Sequence, residues 1–169
     1  MNGRSIIIMG VSGSGKTTVG KAVAQMRGYR FIDGDDLHPV ANIEKMRSGA
    51  PLTDEDRRDW LLRIHQEMKE LNAAGISVVV ACSALKRKYR EVLRDGLDML
   101  FFYLKGSSLQ VGALLKARQG HFMPVQLLQS QFEALEEPTG AETDCVTIPI
   151  TDLPGELEQI RLLLVQHGF

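Results

Sequence analysis

The chain has 169 residues, 44% hydrophobic and 24% charged, so the usual domain size favours one compact domain over a collagen-like, coiled-coil or disordered chain. Roughly 70% of the unfolded surface of a chain this long is removed from water on folding, enough for a core without metal or disulfide staples. Twenty basic against 21 acidic residues leave a net charge of −1. No global positive field draws nucleic acid or an anionic membrane, so any bound anion must be held locally.

Cys82 and Cys145 lie 63 positions apart, with no C-x-x-C and no histidine cluster beside them. Zinc and dithiol redox readings fail, and two small apolar residues in a reducing cytoplasm are expected. The apolar run Ile6 to Val11 is far short of the ~18 residues of a spanning helix, so neither a signal peptide nor a membrane span is expected.

In chain order, residues 5–9 are an isoleucine-rich run without polar alternation, the pattern of a strand buried on both faces of a parallel sheet. Val19, Ala22, Val23 and Met26 then fall on one stripe of a helix over residues 16–27. A short strand is predicted at 29–33, and a helix from about Pro39 to Met46 that stops at Ser48-Gly49. Thr53 followed by Asp54, Glu55 and Asp56 is a strong helix start, because a side-chain acceptor and carboxylates meet the positive end of the helix dipole. That helix runs to about Asn72, buries Leu61, Ile64, Met68 and Leu71, and stops at Gly75.

Residues 76–82, the most uniformly apolar segment, are expected to form a central strand. Helices at 86–94, 109–118 and 125–135, strands at 99–104 and 145–150, and a final helix striped by Leu157, Ile160 and Leu164 complete the pattern. Five apolar strands alternating with helices predict an α/β fold, a doubly wound five-stranded parallel sheet with helices on both faces.

Gly10-Val11-Ser12-Gly13-Ser14-Gly15-Lys16-Thr17 matches G-x-x-x-x-G-K-[ST], a pattern that arises by chance in on the order of one such chain in a hundred. Here it leaves a predicted buried strand and enters an amphipathic helix, as a phosphate-binding loop must. Glycines let successive N–H groups face one anion at the positive end of the following helix. Lys16 would reach the β- and γ-phosphates of a bound triphosphate, and the Thr17 hydroxyl would ligate Mg²⁺. The guanine-reading string Asn-Lys-x-Asp is absent, which argues against a GTPase.

Asp33-Gly34-Asp35 falls at the carboxyl end of the second predicted strand, the edge where parallel sheets bind ligands. Period two places both carboxylates on one side of the chain. One can hold a water of Mg²⁺ while the other accepts the proton of an attacking hydroxyl. Arg57, Arg58, Lys86, Arg87, Lys88 and Arg90 form a pool of basic side chains, with Lys86 and Arg90 one helical turn apart, so that both can face the same cleft. Lys116-Ala-Arg118-Gln-Gly120-His121 joins a helix end to a break, the composition of a closing lid over residues 118–124 with Arg118 as a phosphate clamp.

The string Asp33-Gly-Asp-Asp-Leu-His38-Pro39-Val-Ala-Asn42-Ile-Glu-Lys45-Met46 resembles gluconokinase of the small P-loop type. So do Gly49 to Arg57, Trp60-Leu61, Ala81 to Lys86, Tyr89-Arg90, Leu104-Lys105-Gly106, Arg118 to Met123, and Ser130 to Glu136 with Pro138. The resemblance spans nearly the whole chain. It implies a nucleoside-monophosphate-kinase-like domain over residues 1–169, with a substrate-binding helical region at about 36–75. It also implies ATP-dependent phosphorylation of D-gluconate at the 6-hydroxyl, giving 6-phosphogluconate. Carried over by position, it implies ATP on Gly10 to Thr17 and Asp35 as base, beside Lys16 and Arg118, the catalytic cations read from the loop and from the lid. Asp33 then lies near the metal through water, His38, Lys86 and Arg90 are acceptor-site candidates, and a homodimer is a family expectation. Two readings stay open beside it. One is a kinase for another small hydroxy acid such as shikimate; the other is a nucleotide-binding regulatory module without acceptor chemistry.

Overall fold

The computed structural model describes residues 1–118 and 125–169. Five parallel strands, β1 (Ser5–Met9), β2 (Arg30–Asp33), β3 (Val78–Ala81), β4 (Met99–Lys105) and β5 (Cys145–Pro149), form one sheet in the order β2-β3-β1-β4-β5. The middle strand is therefore β1, and β3, expected to be central from its apolarity, is its inner neighbour. All five residues of β1 are buried, as are all four of β3. Strands covered on both faces need no polar alternation.

The helices are α1 (Lys16–Arg27), α2 (Val40–Arg47), α3 (Asp54–Ala73), α4 (Arg87–Arg94), α5 (Ser108–Ala117), α6 (Val125–Ala134) and α7 (Leu153–Gln166). Alternate residues of β1 point into two cores. Ile6 and Ile8 pack with Val19 and Val23 of α1, Val111 of α5, and Ile160 and Leu164 of α7. Ile7 and Met9 pack with Trp60, Ile64 and Met68 of α3, and Leu93 of α4. Each such fully buried side chain contributes about 1.5 to 3 kcal/mol before chain entropy is subtracted. The doubly wound layering follows from this period-two division of one strand between two helical layers.

Helix α3 starts as its sequence predicts. Thr53 Oγ1 accepts from Asp56 N at 3.2 Å while Asp56 Oδ2 accepts from Thr53 N at 2.8 Å, a reciprocal cap. Gly75, at φ 78°, ends the segment in the left-handed region. Cys82 is buried and free; Cys145, also free, is partly exposed beside Asp144 and Glu142 rather than apolar on all sides. No helix of the described residues is long and apolar enough to cross a membrane.

Candidate active site

The loop between β1 and α1 has the backbone that the motif demands. Gly10, Gly13 and Gly15 have φ of 151°, 81° and 96°, values that L side chains rarely adopt. A Cβ on Gly13 would also lie 2.4 Å from Leu115 Cγ of α5. Gly15 caps α1 without a side chain, so the N–H groups of the first turn stay open to an anion at the positive helix end. Ser14 Oγ is buried with no partner among the described residues. An orphaned hydroxyl, a glycine cradle and an open helix start together fit a phosphate group.

Lys16 Nζ donates to Val11 O at 2.9 Å and so folds back over the loop. Burial lowers its pKa, and the carboxylate of Asp35 opposes that shift. Thr17 Oγ1 donates to Asp33 Oδ2 at 3.0 Å, placing two hard oxygen ligands side by side. That donor set fits Mg²⁺, which takes one or two protein oxygens and keeps several waters.

Asp33 and Asp35 do meet, though not by strand alternation. β2 ends at Asp33, and residues Gly34–Leu37 form a 3₁₀ turn capped by Asp33, whose Oδ1 accepts from Asp35 N at 3.1 Å. The chain turns because Gly34 nests against β3, where an added Cβ would lie 2.6 Å from Ala81 O. Asp35 keeps a side chain 79% accessible, yet it stands in a cleft crowded with protein atoms. That crowding raises its pKa, while Lys16 pulls it back down.

Two cavities open here. The first, about 440 Å³, is lined by the loop with Thr17, Asp33, Asp35, Leu115 and Arg118. The second, about 560 Å³, is walled by His38, Met46, Arg47, Arg57, Trp60 and Gln131 with their neighbours. Ser12, Lys16 and Asp35 line both. A phosphate donor and an acceptor in adjoining chambers would meet at those three residues.

His38 is buried and stacked on Trp60, ring centroids 4.1 Å apart. Burial and the charge of Arg57 lower its pKa to about 4, so it is neutral near pH 7. Trp60 Nε1 donates to Gly34 O at 2.7 Å and ties this wall to the turn bearing Asp35. Arg57 donates to the Tyr89 hydroxyl at 3.2 Å, and that hydroxyl donates to Asp54.

Two expected acceptor contacts are placed elsewhere. Neither Lys86 nor Arg90 is among the described residues lining either cavity. Lys86 pairs with Asp54 at 3.0 Å. Arg90 is fully buried: Nε and Nη2 bind Glu142, Nη2 also reaches Glu136 O, and Nη1 reaches Ala84 O and Leu85 O. All five of its donors are used, so none is left for a ligand. Sharing a helical turn does not bring the two residues to one cleft, because Lys86 precedes α4 and faces α3 while Arg90 faces the segment before β5. Arg118 does reach the phosphate cavity; the rest of the expected lid, residues 119–124 with His121, lies outside the described residues.

Other wall residues carry little local signal. Arg47 reads as ordinary dipole pairing at the end of α2. Gln131 of α6 accepts from Ser12 N at 2.6 Å across 119 positions of chain, a contact that no sequence window contains.

A family model for shikimate kinase matches residues 12–139. A sugar kinase from Janibacter sp. superposes with a TM-score of 0.91 at 39% identity, covering 96% of this chain and 95% of that one. Fold, loop and paired cavities thus define a small P-loop kinase. The thermosensitive gluconokinase of Escherichia coli (strain K12) is 48% identical over 163 residues, covering 95% of this chain and 87% of that relative. A gluconokinase structure from Sinorhizobium meliloti 1021 has a TM-score of 0.81 at 44% identity, covering 96% and 97% of the two chains. The chain belongs to the gluconokinase family.

Proposed function

We propose that this protein transfers the γ-phosphoryl group of ATP to the 6-hydroxyl of D-gluconate, yielding ADP and 6-phosphogluconate. The observation that carries this reading is the junction of a phosphate cavity and a cation-bearing acceptor cavity at Ser12, Lys16 and Asp35. Gluconate is a polyol with a carboxylate at one end. Arg57 and Arg47 on the acceptor wall are the anchors for that carboxylate, and Arg57 is pre-positioned by Tyr89. These two replace Lys86 and Arg90 in that role.

Asp35 accepts the proton as the 6-oxygen attacks, and its raised proton affinity suits a general base. The new O–P bond forms as the bond to the ADP oxygen breaks, and the proton on Asp35 passes to solvent afterwards. Lys16 and the loop N–H groups compensate negative charge on the phosphates, and Arg118 adds a cation from the other wall. Thr17 directly, and Asp33 through water, would hold Mg²⁺, which supplies charge neutralisation across the phosphate oxygens when bound. His38 and Trp60 form an uncharged, rigid side of the acceptor chamber.

The test is a coupled ATP assay over gluconate, sorbitol, glucose and shikimate. Gluconate is expected to be the preferred substrate, and Arg57→Met to lower kcat/KM for it about ten- to hundredfold, chiefly through KM. Preference for shikimate, or equal turnover of sorbitol and gluconate, would overturn the reading.

A further inference from the structure

Asn42 is a buried amide on α2 with no place in the chemistry above. Its Nδ2 donates to Asp56 O at 2.7 Å. A backbone carbonyl only accepts, so this contact fixes which end of the amide faces it. The same nitrogen lies 3.3 Å from His38 Nδ1. Since the amide nitrogen is a donor, Nδ1 must accept, and the imidazole hydrogen must sit on Nε2. The Nε2 edge faces Asp35 Oδ1 at 4.0 Å.

We propose that Asn42 is a positioning residue that holds neutral His38 in its Nε2–H tautomer, so that the imidazole presents an N–H to the carboxylate of Asp35. The chain of contacts starts at an atom with no freedom, the carbonyl of Asp56. It ends at Asp35, one of the three residues that line both cavities. The stack on Trp60, with an interplanar angle of 14°, fixes the ring plane, and Trp60 is itself bonded to Gly34, the neighbour of Asp35. The opposite tautomer would turn a lone pair toward Asp35 and set two hydrogens against each other at Nδ1. At 4.0 Å the pair is too long for a direct hydrogen bond, so the N–H acts through its dipole, which favours the carboxylate orientation that keeps Oδ1 toward the ring and leaves the second oxygen for the incoming hydroxyl.

This inference rests on Asp35 being the base, so its test separates the tautomer from turnover. Histidine tautomers are read from long-range ¹⁵N–¹H correlation spectra of the full chain at pH 7 without substrate. The His38 signals are assigned by their absence in His38→Gln. The wild type is expected to show the Nε2–H form. Asn42→Asp, which offers an acceptor in place of the donor, is expected to convert His38 to the Nδ1–H form and to lower kcat for gluconate about tenfold. KM for ATP should stay within about threefold. A residue with only a packing role would leave the tautomer unmoved. An Nδ1–H form or an imidazolium in the wild type overturns the proposal, as does retention of Nε2–H in Asn42→Asp or a switched tautomer with unchanged kcat. If Asn42→Asp does not fold, the wild-type spectrum still decides, and Asn42→Ser, too short to reach both partners, is expected to give a mixture of tautomers.

Discussion

Replacing Arg90 with Met separates a structural cation from a substrate-binding one. The guanidinium has no exposure, and the Glu142 side chain that it grips is 3% exposed. The substitution removes two charge-assisted contacts of 2.6 and 2.8 Å to that carboxylate. It also strips the donor from Ala84 O and Glu136 O; Leu85 O keeps a second partner in Glu136 N. Breaking a buried pair by removing one member costs about 3 to 5 kcal/mol. Two carbonyls losing their donor add to that cost. Two effects offset part of it: Arg94 still bonds Glu142 at 2.7 Å, and the Met side chain fills most of the vacated volume. A net loss of about 4 kcal/mol is expected, against a total of about 5 to 15 for a domain.

Urea unfolding followed by tryptophan fluorescence reads this directly, since Trp60 is the sole tryptophan and lies in the core on the α3–α4 side of the sheet. With a slope of about 2 kcal/mol/M, the midpoint should fall by about 2 M with the slope unchanged. At low temperature, where the variant is folded, KM for gluconate should stay within about threefold. Arg57→Met should show the mirror image, a large rise in KM and a small change in midpoint. A folded Arg90→Met with the wild-type midpoint and a tenfold higher KM would return Arg90 to the acceptor site and refute the reasoning.

Lys16→Met should lower kcat by orders of magnitude in a folded protein, because Lys16 is the only cation among the described residues that line both cavities; kinetics with a circular dichroism control check it. Asp35→Asn should cut kcat with little change in ATP affinity, whereas Asp33→Asn should raise the Mg²⁺ concentration needed for half-maximal rate; titrations of each variant distinguish the two. Stability should fall in two acidic windows. His38, neutral in the fold with a pKa of about 4 against 6.5 unfolded, contributes fully above pH 6.5 and loses its contribution as pH drops toward 4. Glu142, held at about 2 against 4.5 by Arg90 and Arg94, contributes fully above 4.5 and loses it toward pH 2. Each is worth at most about 3 to 4 kcal/mol, and His38→Gln should remove the upper window from a pH series of urea midpoints.

The alternation of strands and helices is legible in the sequence because each element carries its own period. β1 is apolar throughout, α1 buries Val19 and Val23 of its expected stripe while Met26 is exposed, and α3 has a start signal that its cap geometry fulfils. The phosphate loop is legible for the same reason. Its donors are consecutive backbone N–H groups, so its binding site is a local feature of eight residues. Asp33 and Asp35 are found as a pair, but their geometry depends on the turn that Gly34 makes against Ala81, nearly fifty positions away. Strand alternation reaches the right cavity there by the wrong route.

Arg90 shows what local reading misses. On its own helix it is a cation one turn from Lys86, and nothing nearby marks Glu142, 52 positions on, as its partner. The acceptor chamber is non-local throughout: His38 from the turn after β2, Arg47 from α2, Arg57 and Trp60 from α3, Ser83 after β3, and Gln131 from α6. None of those residues is informative without the others. This division has a physical cause. Phosphate is bound by backbone and one lysine, which a short motif can specify in any sequence context. A particular polyol acid is distinguished by side chains held on separate elements, each positioned by contacts such as Trp60 to Gly34 and Asn42 to Asp56. Resemblance of whole strings to a family is informative about substrate because those strings carry the wall residues and their supports together. Substitutions in the supports should therefore change selectivity and turnover while leaving the nucleotide loop intact.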